Sequence, residues 1–163
     1  MIWSEDFLKL LESCDIHEKI EKIVAYCVDI KRQVVEQDEH DTALRMILNY
    51  GHTLGHAIEK VTNHAVTHGH GVAMGMVLIT RVGMKLGLCD RALLQRLTAL
   101  LTRYHLPTVY GGSVSALSNA CLHDKKRAGS KIRLILVRQA GKAEIVPMEA
   151  QEFAALLAEA LPE

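Results

Sequence analysis

Arg45, Asn49, His52 and His56 follow one another at steps of four, three and four residues. On a continuous α-helix, at 100° per residue, their directions fall within roughly 60° of one another and define one stripe. Asp41 extends that stripe if the helix starts early. A core helix carries leucines along such a line. Here Leu44, Ile47, Leu48, Leu54, Ala57, Ile58 and Val61 occupy the other faces, and the stripe holds a guanidinium, an amide and two imidazoles. Imidazoles at i and i+4 converge on one metal ion, or one binds metal while the other meets a ligand. A hydrogen-bonded stripe that only faces water is the competing reading, because H-x-x-x-H matches are common. Gly51 and Gly55 cost the helix about 1 kcal/mol each relative to alanine. Close approach of a second helix or of a substrate would account for them.

Nine histidines are present and five lie between His52 and His70. The segment His64-Ala-Val-Thr-His68-Gly-His70-Gly offers imidazoles in a glycine-bearing loop that can swing onto a neighbouring helix. Two helix imidazoles, or one plus a loop imidazole, make a zinc site once a carboxylate joins them, and that carboxylate can come from outside the chain. Cobalt or iron accepts the same ligands. Taken singly, His64 and His70 read as surface loop residues. Lys31, Arg45 and the pair Lys125–Lys126 supply separated cations that suit a small, multiply anionic substrate. From the residues alone, the run Asp124–Arg127 reads more readily as a solvated loop.

The elements that must position these groups follow from periodicity and caps. Ser4 caps a short helix over Ser4–Leu11. Asp15 caps a long one whose apolar residues Ile16, Ile20, Ile23, Cys27, Ile30 and Val34 repeat at three- and four-residue steps. The acidic stretch Glu36–Asp41 forms the turn into a second long helix over Thr42–Val61. After a loop, Thr62–His68, a helix over Gly71–Leu86 is apolar on nearly all sides and belongs in the middle of a bundle. Asp90 caps a fourth helix with Leu93, Leu94, Leu97, Leu100 and Leu101 on one face, and Pro107 ends that region. Ser113 or Ser115 starts a shorter helix reaching Cys121. Lys131–Val137 alternates as a strand, Gly141 lies in a turn, Ala143–Val146 returns, and Glu149–Leu161 closes the chain as an amphipathic helix. The fold class expected is mainly α, a multi-helical bundle with one small β-hairpin, forming one domain over residues 1–163. No Gly-rich strand–turn–helix fingerprint for a dinucleotide is visible.

The bulk numbers exclude several classes. The chain has 163 residues, 49% of them hydrophobic and 23% charged, with 19 basic and 19 acidic side chains. That balance fits a globular domain with a real core and gives no basic surface for nucleic acid or membrane. No apolar run reaches the length of a membrane span and no signal-peptide layout opens the chain, so a cytoplasmic location is expected. Cys14, Cys27, Cys89 and Cys121 are scattered and read as reduced, mostly structural thiols.

The stretch Arg45-x-x-x-Asn49-Tyr50-Gly51-His52-Thr53-x-Gly55-His56-Ala57-Ile58-Glu59 resembles the signature of the 3-dehydroquinate synthase family. So does His68-Gly69-x-x-Val72-Ala73-x-Gly75-Met76. Lys31-x-x-Val34-Val35-x-x-Asp38-Glu39 upstream is similar to the family's sequence before that helix. Leu106-Pro107, Asp124-Lys125-Lys126 and Arg133-Leu134-Ile135-Leu136 match downstream, in the same order. The resemblance implies the family's C-terminal helical domain. It implies His52 and His68 as zinc ligands, with cobalt an alternative metal, and His56 and Asn49 at the phosphate end of a substrate pocket. Lys31 and Arg45 would bind substrate oxygens, Arg45 the carboxylate, and Lys125 or Lys126 would reach the substrate anion. The family reaction converts 3-deoxy-D-arabino-heptulosonate 7-phosphate to 3-dehydroquinate with loss of phosphate and catalytic NAD, in the shikimate pathway.

Three departures accompany the matches. The family's N-terminal NAD-binding half has no counterpart in this sequence, so that half is an expected partner, together with the phosphorylated keto-acid substrate and, from the family's habit, a second copy in a homodimer. The E-x-x-K segment that carries the third zinc ligand also has none; Ile2–Phe7 resembles the family's sequence immediately beyond that segment. His70 stands where the family has glutamate, as does Asp41, which leaves His68 or His70 as the ligand, with the alignment favouring His68. A chain of this kind is expected to be inactive alone. The alternatives are a non-catalytic metal- or partner-binding domain, or half of another sugar-phosphate cyclase. For a cyclase acting on glucose 6-phosphate, Arg45 has no carboxylate to meet. The motifs of the two-domain metal-dependent alcohol dehydrogenases, which have a similar helical half, are not seen.

Overall fold

The structure is a computed structural model and describes residues 2–39, 44–125 and 131–161, with side chains in the second stretch up to Cys121. Two helices open it, α1 (Glu5–Ser13) and α2 (Ile16–Gln37). Each begins where an oxygen satisfies an N–H that the first turn leaves unpaired. Ser4 Oγ accepts from the Phe7 N–H at 3.1 Å, and Asp15 Oδ1 accepts from the His17 N–H at 2.8 Å. The pair is joined by a small cluster of Phe7, Cys14 and Ile23, with the Phe7 and Tyr26 rings stacked at 4.2 Å. The apolar stripe on α2 is only partly covered. Ile23 and Val34 are buried, whereas Ile20 is 46% exposed, Cys27 is exposed, and Val24 and Val28 beside them are 52% and 60% exposed.

The single helix expected over Thr42–Val61 does not form. Asp41, Thr42 and Ala43 lie outside the described residues. Leu44–Asn49 is a 3-10 segment, Gly51 takes φ +81°, and α3 (His52–Val61) starts afresh after it. At three residues per turn, Arg45 and Asn49 point about 120° apart, so the stripe of four is broken. Only His52 and His56 keep the α-helical relation.

After α3 the chain reverses through Asn63 and His64, both left-handed at φ +50° and +59°. The next helix, α4 (His68–Lys85), begins three residues earlier than its periodicity indicates, so His68 and His70 belong to its first turn rather than to a loop. Its apolar surround is matched by burial: Val72, Ala73, Met74, Val77, Leu78, Ile79 and Val82 are all covered. Packed against it are α3, α5 (Arg91–Arg103), β1 (Lys131–Gln139) and α7 (Ala150–Ala160). Asp90 caps α5 through the Leu93 N–H at 2.9 Å. Ser113 Oγ accepts from the Ala116 N–H at 3.3 Å and starts α6 (Val114–Lys125), which runs past Cys121.

The hairpin pairs β1 with β2 (Lys142–Glu149), antiparallel, with Leu134 opposite Val146 and Ile135 opposite Ile145. The return strand is longer at both ends than Ala143–Val146. The main core gathers Leu54 and Ile58 of α3, Leu78 and Val82 of α4, Leu117 of α6, Ile132, Leu134 and Leu136 of β1, and Phe153 and Leu157 of α7. Full burial of such side chains contributes roughly 1.5–3 kcal/mol each.

The glycines resolve one alternative. A β-carbon on Gly55 would stand 3.0 Å from the Val72 backbone nitrogen, and one on Gly71 would stand 3.0 Å from the Gly55 carbonyl oxygen. A β-carbon on Gly75 would overlap the Gly51 carbonyl. Glycine on both helices therefore lets α3 and α4 pack backbone against backbone, and the neighbour that requires Gly51 and Gly55 is a helix.

Candidate metal and substrate site

The close crossing of α3 and α4 brings three imidazoles together. Ring centroids are 5.6 Å apart for His52 and His56, 5.2 Å for His52 and His68, and 5.6 Å for His56 and His68. His52 and His56 come from successive turns of α3, and His68 from the first residue of α4. One donor atom each of His56, Glu59 and His68 lies within 4.8 Å of the other two. Imidazole nitrogens suit zinc or cobalt, so the residues present fit the metal that the sequence implies.

The rings are held by oxygens. His52 Nδ1 lies 3.3 Å from the Tyr50 carbonyl, which leaves Nε2 as its free donor nitrogen. Tyr50 is itself anchored, its hydroxyl bonded to Thr80 Oγ1 and to the Met76 carbonyl of α4. Burial pushes the His52 imidazole below its ordinary range; the Tyr50 carbonyl opposes this, and the neighbouring His68 and His56 lower it further. A neutral imidazole is the form that ligates a metal. His68 Nδ1 lies 2.8 Å from Glu59 Oε1.

The remaining sequence-derived candidates lie outside the triangle of histidine rings. Lys31 is exposed on α2. Arg45 is tied to the turn before it: its N–H donates to Asp38 Oδ2 at 2.9 Å and its guanidinium to the Glu39 carbonyl at 3.3 Å. Asn49 is exposed at the end of the 3-10 segment. Lys125 is the last residue of α6, its side chain outside the described residues, as is all of Lys126. His64 is exposed in the left-handed turn and His70 is exposed on α4. Glu59 was given no role by sequence reasoning, yet a signal for it exists. It follows His52 by seven residues and His56 by three, which places it on their face of the helix.

The model of the 3-dehydroquinate synthase C-terminal domain matches residues 1–127. This chain belongs to the 3-dehydroquinate synthase family. Among its relatives, the 3-dehydroquinate synthase of Enterococcus faecalis is 42% identical over 145 residues, which are 88% of this chain and 40% of that protein. The 3-dehydroquinate synthase of Streptococcus mutans serotype c is 39% identical over 140 residues, 85% of this chain and 39% of that protein. The chain thus spans about two-fifths of the length of these relatives.

The fold recurs in two synthases of known structure. A 2-epi-5-epi-valiolone synthase from Streptomyces hygroscopicus, solved with NAD+ and Zn2+ bound, superposes with a TM-score of 0.79 at 19% identity, over 98% of this chain and 47% of that one. A 2-deoxy-scyllo-inosose synthase complexed with carbaglucose-6-phosphate, NAD+ and Co2+ gives 0.74 at 22%, over 87% and 41%. The helical domain with its one hairpin is thus a fold that this chain shares with these synthases. Among the described residues, no helix is long and apolar enough to cross a membrane.

Proposed function

We propose that this chain is the metal- and substrate-binding half of a 3-dehydroquinate synthase, and that turnover requires an NAD-binding half. The observation that carries the reading is the triangle of His52, His56 and His68 at the α3–α4 crossing. Zinc or cobalt is held there by His52 and His68, with a carboxylate completing the set. When bound, the metal supplies Lewis acidity to substrate oxygens, and NAD supplies reversible oxidation.

The chain's own residues do the rest. His56, beside the two ligands and exposed, offers an N–H to the substrate phosphate as it leaves. Asn49 adds an amide donor. Arg45 presents a planar fork suited to a carboxylate, and Lys31 and Lys125 bring further positive charge to an anionic substrate. Identities of 39–42% to 3-dehydroquinate synthases, against 19–22% to the other cyclases, support this substrate over theirs. The exposed apolar row Ile20, Val24 and Val28 on α2 supports a partner surface for the other half.

Equilibrium dialysis against zinc tests the ligand assignment. One ion per chain is expected, lost in His52→Ala and His68→Ala and kept in His64→Ala. Equal retention by all three variants would overturn it.

A further inference from the structure

We infer that Glu59 is a positioning residue for the metal: its carboxylate holds the Nδ1–H of His68 and so commits Nε2 of that ring to the cation. The inference rests on the proposed metal site and adds to it a residue that neither ligates nor touches substrate.

The distance shows that Nδ1 and Oε1 are hydrogen-bond partners rather than two atoms on one ion. Two donor atoms bound to one tetrahedral zinc at ordinary bond lengths stand about 3.3 Å apart. His68 Nδ1 and Glu59 Oε1 are 2.8 Å apart, the length of a charge-assisted hydrogen bond. They share a proton, and the second ring nitrogen is left with the lone pair. A carboxylate behind a ligating imidazole fixes tautomer and ring plane and raises the basicity of the ligand nitrogen.

Exposure shows why His68 needs such a hold. Its side chain is 56% exposed and Glu59 is only 17% exposed, so the carboxylate is the fixed member of the pair. Glu59 is fixed because α4 makes room for it. A β-carbon at Gly71 would stand 3.4 Å from Glu59 Cγ and 3.6 Å from its Oε1. The carboxylate also lies by the first turn of α4, where unpaired N–H groups favour negative charge. His52 shows the same arrangement with a weaker acceptor, its Nδ1 facing the Tyr50 carbonyl at 3.3 Å. Each of the two ligand rings thus has Nδ1 turned to a protein oxygen.

Two measurements on the 163-residue chain test this. Long-range proton–nitrogen NMR of the metal-free chain at pH 8 reads the His68 tautomer. The Nδ1–H form is expected, shifting toward Nε2–H in Glu59→Gln. His68 in the Nε2–H form in the unaltered chain overturns the inference whether or not metal binds. The second measurement is Co2+ titration followed by visible absorption. Affinity is expected to fall 10–100-fold in Glu59→Gln with the helical circular dichroism unchanged, more in His68→Ala, and not at all in His64→Ala.

Glu59→Gln binding like the unaltered chain while His68→Ala does not would overturn the role of Glu59 and leave the metal site standing. Co2+ binding indifferent to His52→Ala and His68→Ala would overturn the metal site and this inference with it. A loss in Glu59→Gln as large as in His68→Ala, with the tautomer unchanged, would make Glu59 a ligand and overturn the inference.

Discussion

The hydroxyl of Tyr50, two residues before His52, hydrogen-bonds the hydroxyl of Thr80 in the middle of α4 and lies 3.3 Å from the Met76 carbonyl. Tyr50 is 2% exposed, and burial pushes its phenol above the ordinary range. The contact fastens the turn that launches α3 to the helix that carries His68. Tyr50→Phe is expected to destabilise the fold by about 1 kcal/mol, since Thr80 keeps its own bond to Met76. Urea unfolding with an unchanged slope checks it; an unchanged midpoint would mean that the hydroxyl pair contributes nothing.

Two glycine substitutions on α4 are expected to act in opposite directions. In Gly75→Ala the new methyl meets the Gly51 backbone and forces α3 and α4 apart, at a cost of about 1–3 kcal/mol. In Gly69→Ala nothing lies within 4 Å, and the gain in helix propensity is up to about 1 kcal/mol. Thermal unfolding of both variants beside the unaltered chain gives the signs.

The three caps at Ser4, Asp15 and Asp90 were readable because a cap is local chemistry, decided by a side chain and an N–H two or three residues on. The central burial of α4 was readable because its apolar residues leave no polar face. The helix over Thr42–Val61 was not, because the spacing of Arg45, Asn49, His52 and His56 fits a helix whether or not one is continuous. Gly51 reads as a small penalty to helix formation, and only its contact with α4 makes it a break. Periodicity on α2 likewise says that Ile20 and Cys27 share a face with Ile23, and is silent on whether anything covers it. The triangle of histidines depends on the left-handed pair Asn63–His64 and on glycines of two helices meeting, both tertiary facts.

Arg96 of α5 ties down α1, its guanidinium bonded to Glu12 at 2.8 Å and to Glu5 at 3.0 Å. That guanidinium holds the Glu5 carboxyl below its ordinary value of 4.5. The folded pKa is depressed, so the stabilisation is fully present above the unfolded value and is lost as pH falls through the folded one. Melting temperature is therefore expected to drop on acidification below about pH 4.5, the ordinary value from which the shift starts. Arg96→Gln should flatten that drop; an identical acid profile in the variant would remove Glu5 from the account.

His52 gives a second pH dependence. Its folded pKa lies below the ordinary 6.5, chiefly through burial. Between the two values the unfolded chain holds more protons than the folded one, so stability declines as pH falls from above 6.5 through the folded value. NMR titration of the metal-free chain should place the His52 midpoint under 6.5, and His52→Gln should weaken the decline. A midpoint at or above 6.5 would contradict the desolvation inferred from its position.

Phosphate release from 3-deoxy-D-arabino-heptulosonate 7-phosphate, with NAD and zinc, tests the assignment of function most directly. It is run on this chain alone and again with the NAD-binding half of a 3-dehydroquinate synthase supplied in trans. Release only with the added half, abolished by His52→Ala, is the result expected of a complementing catalytic half. No release in either case, with the helical fold intact by circular dichroism, would contradict it and leave a domain that binds metal without catalysing the reaction.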